Sequence, residues 1–267
     1  MNILSNDQIA QLAPAVMSTE HKAGLSDHYT QIPTIQVVED MRKLGWEPVQ
    51  AIGVKARKGG NSAIKKHLVK FRNEGVYMAD ADGNVDSYIE VLLTNSHDGS
   101  STFRFEIGIF RLVCSNGLVV KDQDLGTLKI RHQGYDFETL RSLIHTMVER
   151  LPDVVGRINK FNEIEISNEL AGAFAAKAAE LRFGDNLTEI NTDQLLLVER
   201  QEDAGMSMWA ILNRVQEKLV NGGFNYQNDK GKTRKARALK NFTQNIEFNS
   251  ELWELADQYV SEYAEVA

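Results

Sequence analysis

The feature that most restricts what this chain can become is a change of hydrophobic period near Phe137. In TFRFEIGIF, Phe103, Phe105, Ile107 and Ile109 fall on one side while Arg104 and Glu106 fall on the other, the pattern of a half-buried strand. From Phe137 onward the spacing becomes helical, with Leu140, Ile144, Met147 and Leu151 repeating every three to four residues up to Pro152. The chain therefore reads as α+β. A β-rich first half, with antiparallel hairpins packed against helices, is expected to give way to a mainly helical remainder. We place an α+β core at 1–165 and a helical region packed on it at 166–267.

Local signals refine that outline. Pro33-Thr34 ahead of Ile35, Val38 and Met41, with Gly45 beyond them, predicts a helix over 35–44. EPVQAIGV then reads as a strand, KARKGGNSA as a hairpin loop, and AIKKHLVKFR as a strand in which Leu68, Lys70 and Arg72 alternate with His67, Val69 and Phe71. One face of that strand is expected to present cations. VYMADADGNVDSYIEVLL carries Asp-Gly between two apolar runs, a hairpin signal. Its Asp80, Asp82, Asn84 and Asp86 do not make a calcium loop, because the glycine stands fourth rather than sixth from Asp80 and the flanks read as strands. TLKIRHQG completes the β-rich half. Helices follow near 136–150, 153–163, 168–182, 193–203, 206–221 and 250–263, the fifth ended by Gly222-Gly223.

The single cysteine, Cys114, excludes an intrachain disulfide and a zinc site built on paired thiolates, which fits a reducing compartment. No run approaches the roughly 18 consecutive apolar residues of a membrane span, and the N-terminal segment lacks a basic stretch followed by an apolar one. A cytoplasmic protein is the expectation, with no membrane partner.

Charge is sharply segregated. Lys55, Arg57, Lys58, Lys65, Lys66, Lys70 and Arg72 follow one another with no acid between them, as do Lys230, Lys232, Arg234, Lys235, Arg237 and Lys240. These stretches hold 13 of the chain's 30 basic groups, so the other residues carry 17 cations against 37 acids. Clustered cations gain binding free energy by releasing counterions from a polyanion. The second stretch is bracketed by Phe224, Tyr226 and Phe242, and cations interleaved with aromatics suit single-stranded nucleic acid. The alternative for each stretch is a solvated loop. The C-terminal end is the mirror image, with Glu247, Glu251, Glu254, Asp257, Glu262 and Glu265 and no base.

Other chemistries find little support. Gly231-Lys232-Thr233 resembles the end of a phosphate loop, but the glycine required five places earlier is Tyr226. Cys114 could pair with His97 or His132, although a cysteine beside Leu112 and Val113 is more often buried and inert. His97-Asp98 lacks the second ligand pair that a metal needs, so no metal or cofactor is expected. In GMSMWAILNRVQEKLVNGG, Met208, Ile211, Leu212, Val215 and Leu219 form an apolar stripe that should pack on the β-rich half, with Arg214, Glu217 and Lys218 facing outward. Asn213, on one side with Trp209, is expected to serve structure, with a motif loop as its hydrogen-bond partner.

The segments LTNSHDGSSTFRFEIGIFRLVCSNGLVV and EDAGMSMWAILNRVQEKLVNGG, with the earlier TIQVVEDMRKLGWEPVQA, resemble the phage/plasmid-like proteins of unknown function. The matching positions are Asn95, Ser96, His97, Asp98 and Gly99, then Arg111, Cys114, Ser115, Asn116 and Gly117, then Trp209, Asn213 and Glu217. The resemblance implies a mobile-element origin in a bacterial host and supplies no catalytic residue. A helix ending at Gly45-Trp46, then a basic hairpin, strands and a long helix, is also similar in arrangement to phage single-strand annealing proteins. The expected function is non-catalytic binding of single-stranded DNA in phage or plasmid DNA metabolism or recombination. A host-directed protein-interaction module, such as an inhibitor of a defence or restriction system, is the alternative. Self-association and a host protein partner remain open.

Overall fold

The computed structural model describes residues 2–25, 29–58, 60–79, 85–111, 117–120, 128–130 and 136–264. In chain order the first elements are α1 (Asn6–Leu12), α2 (Thr34–Lys43), β1 (Glu47–Gly53), β2 (His67–Ala79), β3 (Val85–Asn95) and β4 (Phe103–Arg111). Then come β5 (Gly117–Val120), β6 (Leu128–Ile130), α3 (Phe137–Glu149), α4 (Leu151–Glu163) and α5 (Asn168–Phe183). The last are β7 (Leu187–Ile190), α6 (Asp193–Leu196), α7 (Met208–Asn221), β8 (Asn225–Asn228), β9 (Thr233–Lys235) and α8 (Phe242–Ala264). The fold is α+β, antiparallel in its sheets.

Two compact units divide the chain, one formed by 1–112 with 123–150 and the other by 113–122 with 151–267. Helix α4 thus falls in the second unit, ahead of the division read at 165.

The first unit is built on β1 to β4, each antiparallel to the next, with β6 pairing the start of β4. Ala79 pairs Val85, so β2 and β3 form the hairpin that Asp-Gly predicts, though 80–84 lie outside the described residues. Register puts Val69, Leu93 and Phe105 abreast, then Phe71, Val91 and Ile107, and all six are buried. Phe103 and Phe105 meet edge to face at 5.3 Å, a core pair rather than a platform for bases.

Helices dominate the second unit. Ser167 and Ser207 cap α5 and α7 by accepting from the Leu170 and Ala210 amides. Buried alanines let α5 approach α8 closely, where Phe174 meets Tyr259 edge to face and Phe161 of α4 lies 5.1 Å from Trp253. Strand β5 packs against α8. The apolar stripe of α7 packs on α4, α5 and α8, helices of its own unit, which corrects the expectation that it serves the β-rich half. Arg214 is a second correction. It is 7% exposed because its guanidinium donates to the Leu196 carbonyl at 3.0 Å and the Gly205 carbonyl at 2.7 Å.

Those same bonds bear on a third. The predicted helix over 193–203 is a single α-helical turn, Asp193–Leu196, and a separate 3-10 turn, Gln201–Asp203, with Leu197 and Val198 exposed between them. In the gap that the prediction leaves between the last two helices, β8 and β9 form a hairpin that joins β7 in a small antiparallel sheet, and α8 starts at Phe242 rather than near 250.

Candidate nucleic-acid interface

The two cationic stretches meet different fates, each within its own unit. In the first, Lys55, Arg57 and Lys58 lie exposed on the loop after β1. Lys65 donates to Asp98 at 3.0 Å. Lys66 is half-exposed. Lys70 and Arg72 do sit on the strand face that alternation assigns them, but they converge on Glu90, at 3.5 and 2.6 Å. Glu90 is 2% exposed and Arg72 8%, and the guanidinium also lies 4.7 Å over the Tyr88 ring. A cation buried against its own carboxylate cannot exchange it for phosphate without leaving that carboxylate uncompensated. Arg72 and Lys70 therefore drop out of the phosphate-contacting set.

The second stretch is built differently. Strand β9 pairs β8, which pairs β7, so Tyr226 stands between Ile190 and Arg234. The turn is closed by Asn228, whose side-chain oxygen accepts from the Lys230 and Lys232 amides, and by Gly231 at φ 63. Gly231-Lys232-Thr233 is thus a hairpin turn entering a strand, not a phosphate loop entering a helix. Lys230, Lys232, Arg234, Lys235, Arg237 and Lys240 are all exposed, and among the described residues no carboxylate pairs with any of them. Gly222, at φ 73, lets the returning strand lie close: a Cβ there would stand 2.7 Å from the Ala236 carbonyl oxygen. Phe224 is 5% exposed and forms a T-shaped pair with Phe183, which removes it as a stacking group for a base.

Two residues that the sequence reading missed complete this surface. Helix α5 stops at Gly184, whose φ of 56 suits glycine, and so leaves Arg182 and Phe183 on its last turn. Phe183 stacks on Tyr226 with centroids 4.3 Å apart and planes 23° from parallel. Together with Arg182, Arg234, Lys235 and Arg237 they line a hollow of about 750 Å³. The signal available was an Arg-Phe pair immediately ahead of a helix-stopping glycine.

The motif residues fall into three groups. Cys114 and Asn116 lie outside the described residues, as does His132, and so does the side chain of Arg111. Asn213 donates to the Trp209 carbonyl of its own helix at 2.7 Å, where the sequence reading expected a motif loop as the acceptor. Asn95, His97 and Asp98 belong to a buried network at the end of β3. Asn95 Nδ2 donates to Thr34 Oγ1 at 2.9 Å, and Thr34 Oγ1 lies 2.8 Å from His67 Nε2. His67 Nδ1 lies 2.9 Å from the Lys65 carbonyl oxygen. A carbonyl only accepts, so Nδ1 carries the proton and Nε2 receives one from Thr34. Burial pushes His67 down to about 3, helped by the neighbouring His97 and opposed by the Lys65 carbonyl. His97 donates through Nε2 to the Ala15 carbonyl, and its backbone bonds Ile64 and Lys22. Burial works against ionised Asp98, but hydrogen bonds from Ser100 and Lys65 outweigh it and hold the carboxyl at about 2. These residues pin four segments to one strand end. Among the described residues no three of His, Cys, Asp and Glu gather closely enough to hold a metal, and no helix is long and apolar enough to cross a membrane.

The family model described as a domain of unknown function (DUF932) matches residues 23–253. The UPF0380 protein YafZ of Escherichia coli (strain K12) is 27% identical over 266 residues, covering 97% of this chain and 92% of that protein. The UPF0380 protein YfjQ of the same strain is 26% identical over 266 residues, with the same shares covered. No solved structure matches.

Proposed function

The chain belongs to the DUF932 family, and we propose that it binds nucleic acid, single-stranded DNA by preference, without catalysis. The observation that carries this reading is the β8–β9 hairpin and the segment that follows it: four exposed cations on the hairpin and two more at Arg237 and Lys240, none with a carboxylate partner among the described residues, beside a stacked Phe183–Tyr226 pair. Uncompensated cations attract phosphates and release counterions, and an aromatic face accepts any unpaired base. Lys55, Arg57 and Lys58 provide further exposed charge in the first unit. The setting that goes with this reading is the cytoplasm of a bacterium and the DNA metabolism of a phage or plasmid, where recombination needs single strands held.

The test is fluorescence anisotropy with single-stranded DNA, duplex DNA and RNA at two salt concentrations. Single-stranded DNA should bind best, with a slope of log affinity against log salt of about −0.7 per phosphate contact. Reversing Lys232, Arg234 and Lys235 to glutamate should flatten that slope. Affinity that ignores salt overturns the proposal. A stoichiometric host protein recovered from nuclease-treated lysate, with no DNA binding, would favour the protein-interaction module instead.

A further inference from the structure

Resting on the reading above, we propose that the hollow at the end of α5 is a discrete subsite for one unpaired, phosphorylated nucleotide unit, with the base on the outer face of Tyr226 and the phosphate against Arg182 and Arg234. Three observations lead there. The first is charge. Arg182 is half-buried and donates to the Leu219 and Arg237 carbonyls, at 3.3 and 3.4 Å, yet among the described residues no carboxylate compensates it. Burial lowers its hold on the proton, against a smaller opposing influence of Tyr226. A phosphate in the hollow would supply the missing negative charge in a bidentate geometry that guanidinium groups favour.

The second is the aromatic arrangement. Phe183 is stacked on one face by Tyr226, meets Phe224 in a T-shaped pair, and has the Arg182 guanidinium 5.2 Å from its centre. Tyr226 stacks on Phe183 through one face and lines the hollow, and cross-strand pairing sets Arg234 beside it. A base laid on the other face would extend a stack already two rings deep, with a cation at its edge. The third is size. About 750 Å³ lies within the range of roughly 300–1,000 Å³ typical of small-molecule sites, so the hollow suits a nucleotide rather than a duplex, whose bases are stacked on one another and unavailable to Tyr226.

The experiment titrates the full chain with thymidine monophosphate, thymidine and inorganic phosphate by ligand-observed NMR, alongside anisotropy with a single-stranded oligothymidylate. The monophosphate should bind at least about tenfold more tightly than either fragment. Tyr226→Ala should weaken it by about tenfold or more, Tyr226→Phe should restore it, and Arg234→Glu should weaken it while leaving the circular-dichroism melt unchanged. The phenylalanine and Arg234 variants keep the test decisive should the alanine variant unfold the hairpin. Monophosphate binding that equals inorganic phosphate, or that survives both Tyr226→Ala and Arg234→Glu, overturns the subsite. If the oligonucleotide still binds with a salt slope in that case, the DNA-binding reading stands and only the subsite falls; loss of both removes the reading as well.

Discussion

Two stretches of similar composition differ in what surrounds them. Around β2 the cations of the first stretch meet carboxylates supplied by other strands and loops: Glu90 takes Arg72 and Lys70, and Asp98 takes Lys65. On the β8–β9 hairpin the same residue types meet none among the described residues. A run of lysines and arginines is therefore not one signal. Where the partner strand brings an acid into contact the run is internal scaffolding, and where the nearby acids, Asp229 and Glu189, form no ion pair with it among the described residues it is available surface.

The largest effect that could break this contrast is at Glu90. Glu90→Gln should cost about 3–5 kcal/mol of stability, because it leaves two buried or half-buried cations without their anion, and urea unfolding monitored by circular dichroism reads it. Next comes acid. His67 binds its proton near 3 when folded and near 6.5 when unfolded, so the unfolded chain holds more protons between those values and stability rises with pH across the window. Full stability from this group is present above about 6.5 and is lost on acidification at up to about 1.4 kcal/mol per pH unit. His67→Gln should flatten that dependence, and an unchanged slope in pH-dependent melts would rule out the buried neutral histidine. By contrast, reversing Lys232, Arg234 and Lys235 to glutamate should move stability by no more than about 0.5 kcal/mol per site while weakening DNA binding, since all three are exposed and among the described residues none pairs with a carboxylate. The smallest expectation is the sharpest: Lys70→Gln should leave DNA affinity within about twofold, whereas a drop like that of the hairpin variant would erase the distinction between the stretches.

What was legible in the sequence follows from which interactions are local. The strands around Phe103–Ile109 and the helix from Phe137 could be read because each buries a face whose period is written in consecutive residues. The small sheet could not. NYQN and TRK have no apolar alternation, and the sheet depends on pairing with Leu187–Ile190, far away in sequence. The buried state of Arg72 was hidden for the same reason, since Glu90 arrives only through strand register. Arg214 looked outward because its carbonyl partners, Leu196 and Gly205, are backbone atoms that no side-chain pattern announces. The candidate site was half visible: the hairpin cations and Tyr226 stand out by composition, while Arg182 and Phe183 lie in an alanine-rich helix that reads as pure packing.

The second unit is sewn from two separate lengths of chain, and β5 rests on α8 although most of the remaining polypeptide is made between them. On the ribosome, β5, with Val119 buried in the finished protein, emerges well before the final helix against which it packs. At a synthesis rate of roughly 5–20 residues per second, that leaves several seconds of exposure for a nascent apolar strand. Whatever protects it during that interval governs how much protein a cell recovers, and slowing translation ahead of α8 would lower the yield without altering a single residue.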